Sequence, residues 1–248
     1  QTGCVKGRSI TDNDLLAQEL IRGIGKKVRG GNVALKLDMT KAYDQMSWGH
    51  IIFMLRAFGF GETVIDLVWR LISNVWFSII INGKFHGYFK SSRGLRQGDP
   101  LSPVLFIIGS EMLSRGLNAL AFQHIGYRGF PSCPAVTHLA FADDVLIFTN
   151  GSAPALKRTM QVLEAYQQSS GQLVNDHKSG YMVHRGTSPA RRRVIERITH
   201  FTRQEFPIRY LGFPLYTGRC RAAYFGEVCQ AVVARIISWK SRMLSQGG

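Results

Sequence analysis

Residues 33 to 38, Val-Ala-Leu-Lys-Leu-Asp, carry the two-residue apolar period of a strand that stops at Asp38. The period then lengthens. Ser47 has the chemistry of a helix N-cap, with Ile51, Ile52, Leu55 and Phe58 on one face and Gly59 as the stop. A second helix is predicted over 62–73, with Val64, Leu67, Val68, Leu71 and Ile72 turned to the core. Phe77 to Ile81 and Phe85 to Phe89 predict two strands, joined by the two-residue hairpin turn that Asn82-Gly83 favours.

Residues 93–103, Arg-Gly-Leu-Arg-Gln-Gly-Asp-Pro-Leu-Ser-Pro, predict a loop, because two glycines and two prolines interrupt any period. Ser102-Pro103 opens a helix through Val104, Leu105, Ile108, Met112 and Leu113. Leu139 to Ala142 and Val145 to Phe148 are apolar runs separated only by Asp143-Asp144, which predicts a hairpin with two carboxylates at its tip. A helix over 154–169, a strand over 181–183, a basic helix over 189–200 and a turn at Tyr210-Leu211-Gly212 complete the order. Hairpins mixed with helices argue an α+β fold, a sheet covered by helices.

The chain has 248 residues, 45% of them hydrophobic, enough for a large core and against disorder. No apolar run approaches membrane-spanning length, and Gln1 opens a polar stretch without a signal-peptide pattern, so secretion and membrane insertion are disfavoured. Cys4, Cys133, Cys220 and Cys229 include no Cys-x-x-Cys pair, which argues against a zinc module or disulfide scaffold. Lys and Arg number 31 against 16 Asp and Glu, a net charge of +15. Residues 151–248 hold 15 of those basic side chains against 5 acidic ones, a balance that attracts phosphate backbones.

Against that basic background, three carboxylates end apolar strands: Asp38, Asp143 and Asp144. Two such groups about 4 Å apart repel by roughly 4 kcal/mol at an effective dielectric near 20. A divalent cation removes that penalty, and magnesium takes one or two protein carboxylates together with substrate phosphates. An Asp at one strand end, an Asp-Asp hairpin later in the chain and a Gly-rich basic loop between them point to metal-assisted nucleotidyl transfer on nucleic acid.

The chain resembles the reverse transcriptase domain of non-LTR (LINE-type) retrotransposons, most closely those common in plants. The matching stretches are Gly7-Arg8-Ser9-Ile10 with Asp12-Asn13, Leu37 to Asp44, Arg93 to Pro103, and Phe141-Ala142-Asp143-Asp144. Ser170-Gly171-Gln172 with Asn175 and Lys178-Ser179, and then Tyr210-Leu211-Gly212, continue the series in order. The resemblance implies a right-hand polymerase: an antiparallel palm sheet with packed helices and partial fingers over residues 1–215, and the start of a thumb over 216–248. It implies RNA-directed DNA polymerase activity on an RNA template and a DNA primer, with deoxynucleoside triphosphates and two Mg2+ ions, for which Mn2+ could substitute. Asp38, Asp143 and Asp144 would be the metal-binding carboxylates and Lys178 the group that protonates departing pyrophosphate.

By the same resemblance, Tyr43 would exclude a 2′-hydroxyl, Arg96, Gln97 and Gly98 would sit at the incoming nucleotide, and Tyr210, Leu211 and Gly212 would grip the primer. Arg93 and the run Arg191, Arg192, Arg193 are further candidates for phosphate contact or for a solvated face. Cys4 departs from the aromatic usual in the family, Asp176-His177 is a milder variation, and the upstream fingers strands would precede residue 1. The chain would end within the first part of the thumb, at Trp239 to Gln246. The compartment would be intracellular, nucleus or cytoplasm, and oligomeric state is left open. Two rivals stand: a silent retroelement remnant that only binds nucleic acid, and another palm enzyme of the maturase or RNA-templated RNA polymerase type.

Overall fold

A computed structural model describes residues 3, 5, 7–121, 126, 127 and 136–243, without side chains at 121 and 238–243. Cys4, Cys133 and residues 244–246 of the expected thumb segment lie outside the described residues.

The chain opens with α1 (Ile10–Arg22), capped where the Thr11 N–H donates to Ser9 Oγ at 3.2 Å. β1 (Asn32–Leu37) leads into the short α2 (Ala42–Gln45), followed by α3 (Trp48–Ala57) and α4 (Glu62–Ser73). The hairpin β2 (Trp76–Ile81) and β3 (Lys84–Lys90) precedes α5 (Ser102–Ala121). Then come β4 (His138–Phe141), β5 (Asp144–Asn150), α6 (Ala153–Ser170), β6 (Gly180–Val183), α7 (Pro189–Thr199) and β7 (Thr202–Arg203). The last elements are β8 (Ile208–Tyr210), β9 (Phe213–Leu215) and α8 (Gly226–Met243).

Five strands form one sheet in the order β4-β5-β1-β6-β7. The fold is α+β, as its pattern predicts, but the sheet is mixed rather than antiparallel. β7 pairs parallel to β6 (Gly180 with Thr202) because α7 carries the chain back to the strand's starting end. Alternation assigns the two faces. Val33, Leu35, Leu37, Val145, Ile147, Tyr181 and Val183 pack with α3, α5, α6 and α7 in the main core. Ala34, Leu146, Phe148 and Met182 face the other way, against α1 and the β8–β9 hairpin.

α1 is invisible to hydrophobic periodicity because two of its buried positions are polar. Asn13 Nδ2 donates to the Tyr210 hydroxyl at 3.1 Å. Gln18 donates through Nε2 to the Tyr216 carbonyl at 3.0 Å and accepts the Tyr216 N–H at 3.1 Å. Those bonds fasten the β8–β9 hairpin over the sheet and use both polar ends of the Gln18 amide, while Asn13 Oδ1 stays buried without a partner among the described residues. In α4 the buried stripe is Ile65, Val68 and Ile72, whereas Val64, Leu67 and Leu71, expected in the core, are exposed. The β2–β3 hairpin has the predicted Asn82-Gly83 turn, with both residues at positive φ, but projects its apolar side chains into solvent on both faces. On the described part of α8, Val232, Val233, Ile236 and Ile237 are exposed as well.

Gly171 ends α6 in the left-handed region at φ 74°, where a Cβ would lie 2.9 Å from the Gln45 carbonyl oxygen. Gly218 shares the conformation (φ 81°) but has open space around it. Gly218→Ala is expected to cost about 1 kcal/mol of unfolding free energy from backbone strain alone. Gly171→Ala adds a clash with fixed backbone and should cost about 3 kcal/mol, a difference that urea denaturation of the two variants resolves.

Candidate active site

β1 pairs antiparallel with β5, Leu37 opposite Val145, and antiparallel with β6, Lys36 opposite Gly180. Continued to the ends of the strands, these registers set Asp38 beside Asp144 on one side and beside Lys178 on the other. Lys178 Nζ stands 4.0 Å from Asp38 Oδ2, an exposed ion pair of little stabilising value. All three side chains share the face that carries Ala34, Lys36, Leu146 and Phe148, since alternate residues of a strand point the same way.

Asp38 is held by its backbone. Its N–H donates to Ser179 Oγ at 3.1 Å and its carbonyl accepts the Asn175 N–H at 2.8 Å. Asn175 Oδ1 in turn accepts the N–H groups of His177 and Lys178, both at 3.2 Å. The stretch from Asn175 to Ser179 is thus a clamp for the end of β1, and Ser179 within it is fully buried.

The β4–β5 turn consists of Ala142 and Asp143, and Asp144 is already the first residue of β5. The two carboxylates therefore do not both sit at a hairpin tip, as the spacing suggested. Ala142 adopts φ 51°, sparsely populated by residues with a Cβ. Asp143 is exposed and Asp144 half-buried. The Asp144 carboxyl is held above its usual pKa, first by burial, then by the Asp143 charge and, more weakly, by Asp38.

Lys36 opposes that shift. Its Nζ donates to the Arg209 carbonyl at 2.8 Å, which ties the β8–β9 hairpin to the carboxylates. No motif in the sequence marks Lys36; its position two residues before Asp38, on the same strand face, is the signal that could have found it. Leu211 (φ 49°) and Gly212 (φ 86°) make the tight turn of that hairpin. Tyr210 is buried rather than lining open space, and its hydroxyl is pushed well above the ordinary phenol pKa by burial first, with the charges of Asp144 and Asp14 adding to it.

A second group forms on the far side of α2. The Tyr43 ring stacks on Phe106 of α5, centroids 4.7 Å apart and planes 11° from parallel. The Leu95 N–H donates to the Tyr43 carbonyl at 2.8 Å and the Gly94 N–H to the Met46 carbonyl at 2.8 Å, docking the loop onto α2. Arg93, Arg96, Gln97 and Gly98 are exposed on that loop. Arg93, Arg96 and Gln97 border a cavity of about 710 Å³ that reaches Asp44 and the β2–β3 hairpin. Gln172 secures α2 from behind: its Nε2 donates to the Ala42 carbonyl at 2.9 Å while its Oε1 accepts the Tyr166 hydroxyl at 3.1 Å.

Among the described residues, no three His, Cys, Asp or Glu side chains are gathered into a ready metal cage. The oxygen donors of Asp38, Asp143 and Asp144 nevertheless suit a hard cation that takes one or two carboxylates and completes its shell with phosphate and water.

The family model described as Reverse transcriptase (RNA-dependent DNA polymerase) matches residues 1–215. A Pol polyprotein from a type-1 R2 retrotransposable element of Popillia japonica is 31% identical over 144 residues, 58% of this chain and 23% of that protein. An uncharacterized mitochondrial protein of Arabidopsis thaliana is 46% identical over 76 residues, 29% of this chain and 62% of that protein, so likeness to a plant sequence is partial. Telomerase from Candida tropicalis, solved with a TWJ fragment of telomeric RNA, superposes with a TM-score of 0.58 at 14% identity, covering 87% of this chain and 32% of that one, a likeness of fold. The chain spans about a quarter of the Popillia polyprotein's length. No helix among the described residues is long and apolar enough to cross a membrane. The match over residues 1–215, with non-LTR retrotransposon proteins among its relatives, makes the chain a member of the reverse transcriptase family.

Proposed function

We propose that this chain is the palm, with part of the fingers and the start of the thumb, of an RNA-directed DNA polymerase that extends a DNA primer on an RNA template. The observation that carries the reading is the strand register that sets Asp38 beside Asp144, with Asp143 in the adjoining turn. The palm and partial fingers are assigned to residues 1–215 and the start of the thumb to 216–248.

Asp38 and Asp143 are the principal ligands for two Mg2+ ions, Asp144 the neighbouring carboxylate nearer the primer end, and Mn2+ is a substitute. Bound there, the ions supply activation of the primer hydroxyl and neutralisation of charge developing on the triphosphate. The chain's own groups do the rest. Asn175 and Ser179 keep Asp38 in place through its backbone. Lys178, beside Asp38, is positioned to give a proton to the leaving pyrophosphate. The Leu211-Gly212 turn, tied back through the Lys36 bond and the Tyr210 bond to Asn13, holds the primer end. Arg96, Gln97 and Gly98 present donors and bare backbone to the nascent pair. Tyr43 presents a ring edge to the sugar while its stacking on Phe106 prevents it from swinging aside.

In a primer-extension assay with Mg2+ and deoxynucleotides, Asp38→Asn and Asp143→Asn should each lower product formation by at least about 100-fold, the order expected when a charge-stabilising group is removed. Wild-type rates in either variant would assign the carboxylates to structure. Tyr43→Ala should raise ribonucleotide incorporation relative to deoxyribonucleotide, and Tyr43→Phe should leave the ratio unchanged. The same ratio in Tyr43→Ala as in wild type would make the ring a core aromatic and nothing more.

A further inference from the structure

β1 begins at Asn32, β5 ends at Asn150 and β6 ends at Val183, so three strands also finish together at the end of the sheet opposite the aspartates. Six residues of strand separate the two ends, about 20 Å at a rise near 3.3 Å per residue. Two adjoining cavities of about 440 Å³ each open there. Lys26, Lys27, His184 and Arg191 border one, and Arg29, Ser152 and Arg191 border the other. Among the described residues, neither is lined by an Asp or a Glu. The first turns of α6 and α7 border the second cavity, and the α6 cap Ser152 makes no side-chain capping bond, so two positive helix ends add to the cationic side chains.

The basic run of α7 serves this end of the molecule. Arg191 donates to the Gly30 carbonyl, and Arg192 Nη2 donates to the Arg185 carbonyl at 2.8 Å. Neither is the freely solvated arginine that the run Arg191, Arg192, Arg193 suggested; only Arg193 is exposed. A guanidinium has five donors, so a bond to one carbonyl fixes the group without exhausting it. Lys27 and Arg29 are exposed and border the same cavities as the anchored Arg191.

We propose that this end of the sheet is a second nucleic-acid contact, a groove for the phosphate backbone of a strand lying outside the carboxylate cleft. A fixed guanidinium, an exposed lysine and helix ends without a compensating carboxylate match a run of phosphates rather than a neutral ligand. The contact is argued for the phosphate backbone because its charged side chains are all cationic. It is independent of the catalytic assignment, being built from different residues at the other end of the strands.

The test is fluorescence anisotropy of the full chain with a labelled 20-nucleotide single-stranded RNA, and with DNA of the same sequence, across a salt series. Lys27→Ala/Arg29→Ala should flatten the slope of log affinity against log salt by about 1.4, since each of two single-strand phosphate contacts contributes about 0.7. Arg56→Ala/Arg70→Ala, which removes the same charge from α3 and α4, should leave the slope as in wild type. Asp143→Asn should also leave it unchanged, which separates this contact from the polymerase reading. A larger loss with RNA than with DNA identifies the template-like strand as the occupant, and equal losses identify any phosphate backbone. Mass spectrometry should find Lys27 of the wild type protected from acetylation by the RNA. A wild-type slope in Lys27→Ala/Arg29→Ala, no protection of Lys27, or binding to anionic phospholipid vesicles in preference to both nucleic acids would overturn the proposal.

Discussion

Like charge is held together at one end of this sheet, and backbone pairing does the holding. Asp38 cannot move from Asp144 without breaking the β1–β5 ladder, in which residues 32–37 each pair with a residue of 145–150. A one-residue slip would turn Leu35 and Leu37 out of the main core and carry Lys36 and Asp38 into it. Burial of those leucines, at about 1.5–3 kcal/mol for each large apolar side chain, therefore sets the register that brings the carboxylates into repulsion. The core supplies the energy that makes an electrostatically unfavourable site stable.

The two faces of the sheet divide the labour. Helices α3, α5 and α6 bury one face and meet at His50, whose ring nitrogens bond Ser169 Oγ and the Gly109 carbonyl, both at 2.9 Å. Among the described residues, the other face is covered by α1, the β8–β9 hairpin and Tyr127, whose ring packs edge-on against Phe148. Lys36 joins that cover to β1 through the Arg209 carbonyl, and the Asn13–Tyr210 bond ties α1 to the hairpin within it. In this arrangement the β8–β9 hairpin and the strand that ends at Asp38 are joined by a single hydrogen bond.

Strong periodicity makes β1, α3, the Asn82-Gly83 hairpin, α5, α6 and α7 legible in the sequence, with boundaries off by a residue or two. Periodicity misses α1, because its buried Asn13 and Gln18 look like surface residues until Tyr210 and Tyr216 are placed beside them. It blurs β7, β8 and β9, whose two or three residues are too short for a period to show. Hydrophobicity alone puts Val64, Leu67 and Leu71 in the core, whereas the geometry of α4 turns Ile65 inward instead. Of the site, the carboxylates are legible as strand ends, but their neighbours are not: the partnership of Asp38 with Lys178, and the place of Lys36, follow from registers that only strand pairing reveals.

Raising the pKa of Asp144 means that its ionised form opposes folding: the group's contribution improves as pH falls through the raised value and is least favourable at neutral pH. Thermal unfolding at neutral pH, in chelator and in excess Mg2+ with a deoxynucleoside triphosphate, therefore probes the strained carboxylate site without relying on turnover. In chelator, Asp144→Asn should unfold a few degrees above wild type, on the order of 2–4 °C per kcal/mol for a chain of this size. Mg2+ with nucleotide should raise the midpoint of the wild type and move that of Asp144→Asn much less. A variant less stable than wild type in chelator, with an undiminished response to Mg2+ and nucleotide, would contradict a site in which the core holds repelling carboxylates together for a cation.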